Sequence, residues 1–140
     1  MNRPRLTGIL ETALYVEDLE RSTRFYTELL GLAPLHGDDR FCALEVVAGQ
    51  QVLLLFRRGA TTEPIPLATG VIPAHDGTGR LHFALEIPAA EVAAWESHLR
   101  AAGVDIESRV RWRFGGTSLY FRDPDGHLVE LATPGLWWAP

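Results

Sequence analysis

The chain has 140 residues, enough for one well-cored domain or for two small halves sharing a core. Its 46% hydrophobic and 22% charged residues exclude disordered and collagen-like classes. The formal charge of −5 argues against nucleic acid as the main partner, because phosphate neutralisation needs clustered Lys and Arg, and it suits a neutral or cationic small molecule.

A lone cysteine, Cys42, gives no internal disulfide framework, and the expected setting is a reducing cytoplasm. The N-terminal stretch has no basic segment followed by an apolar core, and no apolar run reaches bilayer length, so no membrane partner is expected.

In chain order, Glu11 to Val16 alternates as a strand and Asp18 stands as a helix N-cap. Leu19, Phe25, Tyr26, Leu29 and Leu30 share one helical face, and Gly31 provides the stop, which predicts a helix over 19–30. Strands are predicted over 32–36, 41–47 and 52–56, with Ala-Gly-Gln at 48–50 as a hairpin turn. A Pro- and Gly-containing connection follows, over 57–79. The chain then begins again: a strand in LHFALEIP, a helix over 90–102 stopped by Gly103, and strands over 105–113, 117–122 and 127–133. Gly115 and Gly116 form the hairpin between the second and third of these strands, and Asp-Pro-Asp-Gly at 123–126 is a strong turn. Each half therefore reads βαβββ, about 7–56 and 80–133, within a single domain over 1–140.

The halves can be registered. Aligning ALYV at 13–16 with ALEI at 84–87 makes Glu11 and His82 equivalent, and aligning VLLLF at 52–56 with LVELA at 128–132 makes Leu54 and Glu130 equivalent. Glu130 is a carboxylate on a strand face whose neighbours are apolar, so it needs a cation, a donor or a metal. If the halves pack as a pseudo-twofold pair, Glu11, His82 and Glu130 converge on a concave face. Two carboxylates can share such a site when a dication neutralises them and an imidazole completes the set.

The repeated βαβββ pattern, the opening ETALYVEDLERSTRFYTELLGL and the closing LYFRDPDGHLVEL resemble the vicinal oxygen chelate superfamily. That group includes glyoxalase I, fosfomycin-resistance thiol transferases, extradiol dioxygenases, methylmalonyl-CoA epimerase and bleomycin-binding proteins. The resemblance covers about 7–133 and implies an α+β fold, two βαβββ modules forming a cupped mixed sheet with helices on its outer face. Carried over by position, it implies Glu11 as the first-strand ligand, His82 as the ligand opening the second half, and Glu130 as the final glutamate. Leu54 stands where glyoxalases of this type carry a fourth ligand, which argues against glyoxalase activity. Leu119, Tyr120, Asp123, Pro124, Gly126 and Glu130 match the ring-cleaving dioxygenase signature, but its preceding His is replaced by Arg111, Trp112 and Arg113.

Tyr15, Phe56, His75, Arg113 and Tyr120 are candidates for the substrate pocket, and no general base is identifiable. For each, a plainer role competes: strand aromatics are commonly core, and His75 can be a solvated loop residue. Arg109, Arg111 and Arg113 share one parity, so they either bind an anionic group from a concave face or form a solvated edge. Trp137 and Trp138 in the tail suit packing against a second subunit, hence a homodimer.

The expected function is a metal-dependent enzyme acting on a small molecule with vicinal oxygens. Its reaction is a lyase, isomerase, thiol transferase or dioxygenase reaction, and its ion is Mn, Ni, Zn, Mg or Fe. The alternative is a metal-free protein that sequesters a small molecule, of the bleomycin-resistance type.

Overall fold

A computed structural model describes residues 2–140. The chain divides into two units, Met1–Gly77 and Thr78–Pro140, each containing a four-stranded mixed sheet.

In the first unit, β1 (Glu11–Val16) leads to α1 (Leu19–Arg24), and then to β2 (Ala33–Gly37), β3 (Phe41–Val47) and β4 (Gln51–Arg57). Asp18 caps α1 by accepting a hydrogen bond from the Arg21 backbone N–H at 3.0 Å. The predicted single helix is instead α-helical only to Arg24 and continues as a π turn over Phe25–Leu29. The Thr27 hydroxyl donates to the Thr23 carbonyl at 2.9 Å, competing for an acceptor of the α-helical ladder at the point where it widens. Gly31, at φ +75°, ends the segment as expected.

The sheet runs β1-β4-β3-β2, with β1 parallel to β4 and the other pairs antiparallel. Alternation sorts its faces. Leu14, Val16, Leu44, Leu53 and Leu55 are buried with Tyr26 and Leu29 of the helical segment. Ala13, Tyr15, Val52, Leu54 and Phe56 are half-buried on the opposite face.

The connection contains a two-stranded ribbon absent from the sequence expectation, β5 (Ile65–Leu67) with β6 (Gly70–Ile72). The second unit holds β7 (His82–Glu86), α2 (Val92–Ala101), β8 (Ser108–Arg111), β9 (Thr117–Arg122) and β10 (Leu128–Ala132). Its order, β7-β10-β9-β8, repeats the first, again with the parallel pair at one end. The register repeats too: Ala13 pairs with Leu54 in one unit and Ala84 with Glu130 in the other. Leu119, Phe121, Val129, Leu131 and Leu99 are fully buried or nearly so.

β8 is shorter than the predicted 105–113. Trp112 leaves the strand to close a turn, its N–H donating to the Gly116 carbonyl at 2.8 Å. Arg113 therefore lies in that turn and not on a strand. Arg109 is paired with Glu96 of α2. Among the described residues, no helix is long and apolar enough to cross a membrane.

Candidate functional site

The turn before β10 builds the site. Asp123 is 5% exposed, and its Oδ1 accepts from the backbone N–H groups of Asp125 (3.0 Å) and His127 (2.8 Å). Gly126, at φ +82°, donates back to the Asp123 carbonyl at 2.9 Å. The fully buried His127 then accepts from the Leu81 N–H at Nδ1, 2.8 Å, and Leu128 N–H donates to the Leu81 carbonyl at 2.8 Å. These bonds fix the start of β7 against β10, so His82 begins its strand beside Leu128.

His82 donates from Nδ1 to the Leu128 carbonyl at 2.9 Å, the direction being set by the carbonyl, which can only accept. A neutral imidazole with its proton on Nδ1 presents a lone pair at Nε2. That lone pair faces Glu130 Oε1 at 3.2 Å. Two acceptors at this distance repel unless a proton or a metal ion lies between them. The imidazole is 49% exposed and the carboxylate 7%, so the pair is open to solvent from the histidine side only. An imidazole anchored through Nδ1–H to a carbonyl, with Nε2 beside a carboxylate, is the usual outer-shell arrangement of a metal-binding histidine. The pair offers two donors of the kind a divalent ion takes, one imidazole nitrogen and one carboxylate oxygen.

Glu130 is held from its other oxygen, Oε2 accepting from the Ser118 hydroxyl at 2.5 Å, while Ser118 accepts from Trp112 Nε1–H at 2.7 Å. The Tyr120 ring lies 6.3 Å from the His82 ring, centre to centre. Burial first, and the adjoining Glu130 charge second, push the Tyr120 phenol above its usual value and keep it protonated.

In the first unit, Glu11 opens β1 in register with Val52, exposed to solvent. Tyr15, Phe56 and His75 come together: Tyr15 stacks on Phe56 at 5.8 Å, and Phe56 meets the His75 ring edge-on at 4.7 Å. Tyr15 Oη and His75 Nδ1 are 2.7 Å apart. Burial and the nearby Asp76 charge raise the Tyr15 phenol above its usual value. The His75 backbone is tied to Thr61 in both directions, His75 N–H to the Thr61 carbonyl (2.9 Å) and Thr61 Oγ1 to the His75 carbonyl (2.5 Å), so the histidine is anchored and not loose.

Of the sequence-derived set, the structure brings His82, Glu130 and Tyr120 together in one unit and Tyr15, Phe56 and His75 in the other. Arg113 is exposed, its guanidinium 5.5 Å over the Phe114 ring. Among the described residues, neither unit gathers three His, Cys, Asp or Glu side chains. Sequence reasoning missed Ser118 and Trp112. The signal for Ser118 was present, since it shares the parity of Tyr120 on the strand beside Glu130.

Comparison with known proteins agrees with this architecture. A solved lactoylglutathione lyase from Agrobacterium tumefaciens is 32% identical, with a TM-score of 0.85 over 96% of this chain and 98% of that one. The metallothiol transferase FosB of Shouchella clausii is 29% identical over 91% of this chain and 81% of its own length. Catechol-2,3-dioxygenase of Bacillus subtilis is 32% identical over 89% of this chain and 41% of its own length. These relatives carry three different reactions in their names, so the likeness specifies a family and not a reaction. The family model described as Glyoxalase/Bleomycin resistance protein/Dioxygenase superfamily matches residues 8–131, and the chain belongs to that superfamily.

Proposed function

We propose that the chain is a divalent-metal enzyme acting on a small molecule with neighbouring oxygens, in which His82 and Glu130 are ligands and Glu11 is the third. The observation that carries this reading is the His82–Glu130 pair, an imidazole Nε2 lying 3.2 Å from a buried carboxylate oxygen. Leu54, half-buried at the position equivalent to Glu130, supplies no fourth ligand and favours a three-ligand site over the four-ligand glyoxalase pattern. A set of two carboxylates and one imidazole suits Mn, Ni, Zn, Mg or Fe.

When bound, the ion supplies Lewis acidity to two neighbouring substrate oxygens and stabilises the negative charge that develops on them. The protein's own groups do the rest. His82 is oriented by its Nδ1–H bond, Glu130 by Ser118, and the Tyr120 phenol offers a proton beside the carboxylate. Tyr15, Phe56 and His75 form an aromatic wall joined by the Tyr15–His75 hydrogen bond. In this reading the protein works as a homodimer in the cytoplasm, supported by Trp137 and Trp138 being 79% and 78% exposed on a single chain.

Metal analysis of protein purified without chelators tests the reading, with Glu11→Ala, His82→Ala and Glu130→Ala alongside. Near-stoichiometric metal in the wild type and its loss in all three variants is the expected result. Metal-free wild type that gains no thermal stability from Mn(II), Ni(II) or Zn(II) would favour the sequestering alternative instead.

A further inference from the structure

We infer that Ser118, locked by Trp112, is a positioning residue that turns Glu130 so that only Oε1 is presented to a bound ion. The inference rests on the metal reading above, but its hydrogen-bond chain stands on geometry alone. An indole N–H can only donate, so Trp112 Nε1, 2.7 Å away, uses a lone pair of Ser118 Oγ. The single hydroxyl proton must then go to Glu130 Oε2 at 2.5 Å. A hydroxyl free of Trp112 could rotate; this one is directed.

Ser118 is fully buried and Glu130 nearly so, which leaves no water to substitute for a lost partner. Ser118 and Glu130 are diagonal neighbours on one face of β9 and β10, Ser118 pairing with Ala132 and Tyr120 with Glu130. Trp112 is fixed in turn. Its backbone closes the β8–β9 turn through Gly116 and Gly115, and Gly116 N–H donates to the Gly135 carbonyl at 3.1 Å. A Cβ on Gly116 would lie 2.7 Å from the Gly135 carbonyl carbon, so only glycine permits this approach. The turn thus holds the indole, the indole holds the hydroxyl proton, and that proton holds the carboxylate rotation.

With Oε2 engaged by Ser118 and Oε1 facing His82 Nε2, Glu130 would offer a bound ion one oxygen. Because Trp112 is the far end of the chain, its indole N–H reports occupancy of the site. Removing an outer partner of a metal ligand typically weakens affinity about 10–100-fold.

The test uses the whole chain, stripped of metal with EDTA and then titrated with Zn(II) by calorimetry, while indole N–H signals are followed by 1H–15N NMR. Wild type should show a slowly exchanging Trp112 indole proton before metal is added, and that signal should move on Zn(II) addition. Ser118→Ala should speed its exchange and weaken Zn(II) binding about tenfold or more. Ser118→Thr, which keeps the hydroxyl, should recover most of the affinity. Trp112→Phe, at a residue that is 37% exposed, should weaken binding by less, and it keeps the test available should Ser118→Ala unfold. Equal Zn(II) affinity in wild type, Ser118→Ala and Trp112→Phe overturns the positioning role while the metal reading survives. Failure of the wild type to bind Zn(II) overturns the metal reading, and the positioning role with it.

Discussion

Replacing Glu130 by Gln should stabilise the metal-free protein. In the wild type, His82 donates through Nδ1 to Leu128, and a neutral imidazole so anchored turns its Nε2 lone pair on Glu130 Oε1 at 3.2 Å. A glutamine of the same shape can accept from Ser118 with its oxygen and donate from its amide to His82 Nε2. One repulsive contact becomes a hydrogen bond, and a carboxylate that is 7% exposed loses its charge. The gain is about 1 kcal/mol, the usual net value of one buried hydrogen bond. For a chain of this length that corresponds to a rise in Tm of about 3–4 °C. Thermal unfolding followed by circular dichroism in EDTA at pH 9 reads it directly. At pH 7.5 the same variant should lose the Tm rise that Mn(II) or Ni(II) gives the wild type. A metal-free Glu130→Gln protein that melts below the wild type would refute the reasoning, since the carboxylate would then be a net stabilising partner of His82 without any ion.

Three other outcomes follow from packing and electrostatics. Leu53→Ala, at a fully buried position of β4, should cost about 2–5 kcal/mol in denaturant unfolding while leaving metal binding intact, because the cavity lies on the helix side of its sheet. Gly116→Ala should cost about 3 kcal/mol, the upper end for overpacking, and should also weaken Zn(II) binding through the displaced Trp112 turn. The Tyr15 phenol is raised above its usual value, so the folded protein keeps this proton at a pH where the unfolded chain has lost it. Its contribution to stability is complete below pH 10 and is lost as pH rises through the folded value. Phenolate absorbance should therefore develop above pH 10, and Tyr15→Phe should remove one late-titrating phenol.

Much of the fold was legible because hydrophobic alternation and turn chemistry point the same way. β1, β3 and β9 run from Glu11, Phe41 and Thr117 to Val16, Val47 and Arg122, as the alternating stretches predict. The register that pairs Leu54 with Ala13 and Glu130 with Ala84 follows from the internal repeat. What escaped depends on side chains competing with the backbone or on contacts distant in sequence. The π turn arises where the Thr27 hydroxyl takes the Thr23 carbonyl, which no apolar periodicity encodes. The ribbon of Ile65–Leu67 and Gly70–Ile72 is only three residues a side and contains Pro66, so it carries almost no pattern. In the site, His82 and Glu130 were visible as equivalents of positions in the first half. The Trp112–Ser118–Glu130 chain was not, because Trp112 reads as strand until the Gly115–Gly116 turn is seen to begin at it.

The most direct measurement of the central claim is the X-ray absorption fine structure at the zinc edge of the Zn(II)-loaded protein, wild type against His82→Ala. The expected wild-type spectrum has oxygen ligands at about 2.0–2.2 Å together with one imidazole at about 2.0–2.1 Å, and the imidazole scattering vanishes in the variant. A protein that holds no zinc, or one whose imidazole scattering persists without His82, would contradict the account.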